Sequence, residues 1–219
     1  MIFYGQPNQG LVIVKINKEL RKYANKLLNE IGIKDYNNIW KIKMKFEIIR
    51  YKNVKSTQNI ANNLAKKGMK EGIVIITERQ SCGKGRNNNN WFSPKGGLWL
   101  SIILRPQNKI NFTQLFGLII AYLISSTIKD VTKIRTTIKL PNDILINKKK
   151  VCGILQEMIF KNDKKFLIIG IGINIINSPK VTKYETTYLN NYSKKKINKI
   201  KLFKEIIFNY EKNIKFFRN

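Results

Sequence analysis

The chain has 219 residues, 43% of them hydrophobic, which suits one domain of ordinary size with a proper core and room for an appendage. Its 42 Lys and Arg against 13 Asp and Glu give a net charge of +29, spread along the whole length, which fits compositional bias better than a dedicated nucleic-acid surface. The absence of histidine excludes His-based triads and acid–base chemistry, and two cysteines, Cys82 and Cys152, argue against a structural zinc and for a reducing, cytoplasmic setting.

In chain order, residues 1–44 form an accessory segment without an assigned role. A strand is expected at 11–16 and an amphipathic helix at 19–31, where Leu20, Tyr23, Ala24, Leu27, Leu28 and Ile31 recur at helical spacing before Gly32. The first ten residues lack the basic lead-in and long apolar stretch of a signal peptide. From residue 45 the pattern sharpens. A strand at 46–51 precedes a helix capped by Ser56 or Thr57 and running to Lys67, with Ile60, Ala61, Leu64 and Ala65 on one face. Gly68 and Gly72 bracket a turn before a buried strand at 73–77.

That strand delivers a polar loop in which Gly83, Lys84, Gly85 and Arg86 are packed together, closed by Trp91 and Phe92. Glycines let backbone N–H groups approach an anion, and Arg can grip a phosphate or carboxylate with two parallel hydrogen bonds. A solvated basic turn would have the same composition. A strand at 98–104 leaves the loop and stops at Pro106. The segment 112–128 is apolar nearly all round and reads as a buried helix, too short and too interrupted for a membrane span of ~20 residues. Four extended runs follow, at 134–140, 144–146, 150–160 and 166–173, with turns between them: a meander. Residues 175–196 are polar and irregular. A last amphipathic helix spans 197–217, with Ile200, Phe203, Ile207, Tyr210 and Ile214 on its apolar face. The pattern predicts an α+β fold with a mixed, largely antiparallel sheet and flanking helices.

Five polar clusters lie at strand ends or at a helix start. They read S-T-Q-N at 56–59, G-K-G-R-N-N-N-N-W at 83–91, K-L-P-N-D at 139–143, K-V-C-G-I-L-Q-E at 150–157 and G-I-G-I-N at 170–174. In order and spacing they resemble the biotin protein ligase family. Its motifs are S-T-N, G-R-G-R-x-G-R-x-W, (K)WPND, K-(x)-x-G-[IV]-L-x-E and G-[IA]-G-[IL]-N, and the resemblance spans roughly residues 46–215.

The resemblance implies a class II synthetase-like catalytic domain over residues 45–219. It implies a two-step reaction with ATP, Mg²⁺ and biotin: formation of biotinyl-5′-AMP, then transfer to a lysine of a biotin carboxyl carrier domain. By the family's pattern Ser56, Thr57 and Gln80 would flank the biotin ring, and Gly83 and Arg86 would lie on a loop over biotin and adenylate. Gly153 would let backbone approach biotin. Lys84, Trp91, Asn142 and Asn174 would serve the adenylate. Lys150 would touch the biotin carboxylate and the α-phosphate, and Asp143 would orient or deprotonate the incoming amine. Metal would arrive with ATP rather than on protein ligands. No membrane and no specific nucleic acid is implied, and a homodimer is left open.

The sequence departs from the pattern at Lys84, which keeps charge but loses the planar fork of Arg, at Asn88 and Asn89, and at Leu140 in place of Trp. Asn tolerates positive φ, which softens the loss of a glycine at 88. No counterpart of the family's small C-terminal β-barrel is read. From the residues alone Ser56 and Thr57 serve equally as a helix cap, and 141–143 as a plain turn. The alternatives are a lipoate or octanoyl ligase of the same fold, a ligase that has lost activity, or a non-catalytic basic nucleic-acid-binding protein.

Overall fold

The computed structural model describes residues 46–106, 113–180 and 184–213, with the side chains of 113–115 left aside. The strand and helix expected at 11–16 and 19–31 lie outside that range. The elements are β1 (Glu47–Val54), α1 (Thr57–Lys66), β2 (Ile73–Lys84), β3 (Asn90–Ser93), β4 (Leu98–Leu104) and α2 (Thr113–Thr132). They continue with β5 (Thr137–Lys139), β6 (Asp143–Ile146), β7 (Lys149–Lys161), β8 (Lys164–Ile173) and α3 (Lys199–Asn213).

One sheet runs β1-β2-β4-β8-β7-β6-β5, with β3 paired to the far half of β2. Only β1 and β2 are parallel, joined by the crossover helix α1, and every other pairing is antiparallel. All seven residues of β4 are buried, as expected of an unbroken apolar run at the centre of a sheet covered on both faces. Helix α1 sits close on that centre because its contact residues are small: Ala61 and Ala65 pack with Ile73, Ile75, Ile103, Phe166 and Ile168. Helix α3 buries Leu202, Phe203, Ile206, Ile207 and Tyr210, and its Asn209 Nδ2 donates to Thr127 Oγ1 on α2 at 2.8 Å. Among the described residues no helix is long and apolar enough to cross a membrane.

The mixed, mostly antiparallel sheet with flanking helices is the architecture expected, and the meander at 134–173 is present as β5 to β8. Several details differ. Strand β2 does not stop at Thr77 but runs on to Lys84, because β1 holds its middle (Val54 opposite Gln80) and β3 its end (Gly83 opposite Trp91). Part of the expected polar loop, Gly83 and Lys84 included, is therefore strand. The strand expected at 134–140 shrinks to β5. Helix α2 continues to Thr132 and ends against Lys133 at φ 64. On α3, Phe203, Ile207 and Tyr210 are buried as expected and Leu202 and Ile206 join them, while Ile200 is 60% exposed. Ile214 lies outside the described residues.

Candidate functional site

Helix α1 starts by aiming its first side chains into the sheet. Ser56 is its N-cap, accepting from the Asn59 N–H at 3.4 Å, and Thr57 and Gln58 follow, both 3% exposed. Thr57 is bound to Gln80 on β2: its N–H donates to Gln80 Oε1 at 2.8 Å, and its hydroxyl lies 3.1 Å from the same atom. The Thr57 and Ser101 hydroxyls meet at 2.9 Å, and Ser101 donates to Gln58 Oε1 at 2.9 Å. Gln80 Nε2 donates to Ser93 at 2.7 Å, and Ser93 to the Trp91 carbonyl at 3.1 Å. A polar network thus lies against the otherwise apolar centre of the sheet, where hydrogen bonds are strong and unpaired groups costly.

The far end of β2 folds over through a tight turn. Gly85 N–H donates to Asn89 O at 2.7 Å, and Asn87 and Asn88 take φ of 53° and 58°. These are left-handed conformations that asparagine adopts more readily than most residues, which suits Asn88 to a glycine's place. The turn presents Arg86, whose Nη1 donates to Asn142 Oδ1 at 3.1 Å. Asn142 is fixed in turn: its Nδ2 donates to Ile154 O and its carbonyl accepts from Ile154 N–H, both at 2.9 Å.

Lys150, at the start of β7, lies 2.8 Å from Asp143 Oδ1, with only 12% of its side chain exposed and 22% of that of Asp143. Its ammonium sits 5.0 Å from the ring centroids of both Trp91 and Tyr184, within cation–π range. Tyr184 begins a segment tied to β7, since Lys150 N–H donates to Glu185 O and Thr187 N–H to Lys150 O. Trp91 lies flat over two glycines. A Cβ on Gly172 would fall 2.3 Å from its Nε1, and one on Gly153 2.7 Å from its ring. Trp91 and Trp99 meet edge to face, with ring centroids 6.5 Å apart. Behind Lys150, burial pushes the Cys152 thiol far up, outweighing the Lys150 charge that favours the thiolate, so it stays protonated and inert.

These parts surround a cavity of about 210 Å³. Thr57, Gln80, Lys84, Arg86, Trp91, Asn142, Asp143, Lys150 and Gly153, all expected from sequence, line it. Three cations, Lys84, Arg86 and Lys150, face a single carboxylate, Asp143, so the lining favours an anionic ligand. Among the described residues no three Cys, Asp or Glu gather as a metal site.

Three expected residues stand elsewhere. Ser56 caps α1 instead of lining the cavity. Gly83 is enclosed in the β2–β3 pairing, where a Cβ would lie 2.4 Å from the Trp91 carbonyl. Asn174 is 1% exposed, and its Nδ2 donates to Thr187 O at 3.0 Å, so it clamps the 184–189 segment to the sheet. Gly153 lines the cavity, with the Trp91 ring against it. Sequence reasoning passed over Gln58, Ser101, Gly170 and Tyr184, which also line it. Gly170 and Gln58 fall inside quoted motifs and carried a signal. Ser101, within an apolar strand, and Tyr184, in an irregular segment, carried little.

Residues 51–174 match the model of the biotin/lipoate A/B protein ligase family. The bifunctional ligase/repressor BirA of Bacillus spizizenii is 38% identical over 165 residues, 73% of this chain and 51% of that protein. The chain thus spans about half the length of the curated relatives it matches first. The structure of the Aquifex aeolicus biotin protein ligase in complex with biotin and ATP superposes with a TM-score of 0.68 at 30% identity, covering 78% of this chain and 72% of that one. The Leishmania major biotin protein ligase in complex with biotinyl-5-AMP gives 0.66 at 27% identity, covering 77% and 74%.

Proposed function

The chain belongs to the biotin/lipoate A/B protein ligase family, and from that premise we propose that it activates biotin with ATP and passes the biotinyl group to a lysine of a carboxyl carrier domain. A biotin carboxylate oxygen attacks the α-phosphorus of ATP, the bond to the β-phosphate breaks, and pyrophosphate leaves. The lysine amine then attacks the carbonyl of the mixed anhydride, AMP leaves, and the amine gives up a proton as the amide forms. The first step sets anion against anion, so positioning and charge stabilisation dominate and histidine is not needed.

The observation that carries this reading is the convergence of Lys84, Arg86 and Lys150 on one cavity whose other end is the Thr57–Gln80–Ser101 network. That network suits a ureido ring, with donors and acceptors to match. An apolar dithiolane or alkyl chain would lie against this polar lining without hydrogen-bonding to it, which speaks against a lipoyl or octanoyl substrate. In this reading Lys150 bridges the biotin carboxylate and the α-phosphate, exchanging its contact with Asp143 for them. Asp143, so released, receives the incoming lysine amine. Arg86, steered by Asn142, and Lys84 hold phosphate, while Trp91 and Tyr184 offer faces to the adenine. Mg²⁺ enters on the triphosphate. The proposed catalytic unit is 45–219, with 1–44 accessory and the protein cytoplasmic.

The test is product analysis. Protein incubated with biotin and Mg-ATP should yield biotinyl-5′-AMP by mass spectrometry, and added carrier domain should gain one biotin on lysine. Folded protein that forms neither product would refute the reading.

A further inference from the structure

We propose that Gln58 closes the buried end of the substrate cavity and selects a polar ring head over an apolar one. The inference rests on the biotin reading and deepens it. Gln58 lines the cavity and is 3% exposed. Its carboxamide is half used: Oε1 accepts from Ser101 Oγ at 2.9 Å, while the buried Nε2 finds no partner among the described residues. A buried amide N–H without a partner is costly, so a ligand that accepts from it recovers energy that a ligand without an acceptor cannot.

The fold holds the carboxamide at its Oε1 end. Ser101 is itself bound to Thr57, and Thr57 to Gln80, so that end is anchored in the network that faces the cavity. Beside Ser101, as its partner across the β4–β8 pairing, lies Gly170, where a Cβ would fall 2.6 Å from Gln58 Oε1 and 3.5 Å from Leu155 Cβ. A larger residue there would push the carboxamide from its place. Gly170 and Gln58 are thus matched, much as Gly172 and Trp91 are two residues further along the strand.

The chemistry that Nε2 reads is a carbonyl or comparable acceptor on a compact ring, as a cyclic urea presents. A dithiolane or a methyl terminus would bury the N–H unpaired. Sites built to hydrogen-bond a ligand reject analogues lacking the group far better than apolar pockets reject extra bulk.

The experiment measures KM and kcat for biotin and for lipoate in pyrophosphate exchange, with wild type, Gln58→Met and Gly170→Ala, each checked for folding by circular dichroism. Gln58→Met keeps length and removes the amide. It should raise the biotin KM about 10- to 100-fold, change kcat little and leave lipoate use no worse, so that discrimination narrows. Gly170→Ala presses on the carboxamide without altering Gln58 and should act in the same direction. A biotin KM unchanged in folded Gln58→Met, or equal losses for biotin and lipoate, would overturn the proposal. Wild type without biotin-dependent exchange would instead remove the biotin reading beneath it, and the two failures are told apart by the wild-type control.

Discussion

Lys150 is one of three consecutive lysines, and its neighbours show what the backbone does to equal side chains. Lys149 reaches a surface partner, Glu185, at 3.6 Å with 43% of its side chain exposed. Lys150, one residue on and therefore on the opposite face of β7, is drawn inward to Asp143 and between Trp91 and Tyr184. From sequence alone only its spacing from Asp143 and Gly153 set it apart; strand alternation supplies the physical reason. Lys150→Ala should lower adenylate formation by on the order of 10³-fold, the loss that follows removal of a preorganised charge stabiliser. The melting temperature should move by only a few degrees, since the pair it breaks retains some solvent access. Activity within tenfold of wild type in a single-turnover assay would remove Lys150 from the proposed role.

At the scale of elements, the pairing of β7 with β8 makes a floor and β3 lays an indole upon it. Gly153 and Gly172 are partners across that pairing, and both would collide with Trp91 if they carried a Cβ. Gly172→Ala should cost about 1–3 kcal/mol in urea denaturation, as overpacking does. Much of that cost should vanish in a Trp91→Ala background, with a coupling of about 0.5–3 kcal/mol. Additive losses would show that Gly172 is needed for some other reason.

The meander was legible because β7 and β8 are long apolar runs around an obvious turn, where Asn162 takes φ 50. The four-residue β3 and the extension of β2 were not, because neither has a local apolar pattern and each exists through its pairing with the other. Ser56 shows the same limit in the site. Its motif position was clear, but whether a serine at a helix start caps the helix or meets a ligand is decided by side-chain direction, which sequence does not carry.

At the scale of the whole molecule, the cavity draws on residues from Thr57 to Tyr184, brought together by a sheet in which sequence neighbours are not always spatial ones. The motifs were readable one by one; their convergence depends on β8 lying between β4 and β7, which places the G-I-G-I segment beside both the Ser101 and the Gly153 strands. The charge of +29 is general to the chain, whereas the cavity gathers three cations with one carboxylate, a local arrangement that asks for an anion. The measurement that tests this most directly is exchange of labelled pyrophosphate into ATP by the purified protein with Mg²⁺, comparing biotin with lipoate. The account predicts exchange that requires biotin and is far weaker with lipoate. Exchange as strong with lipoate as with biotin, or none with either from folded protein, would contradict it.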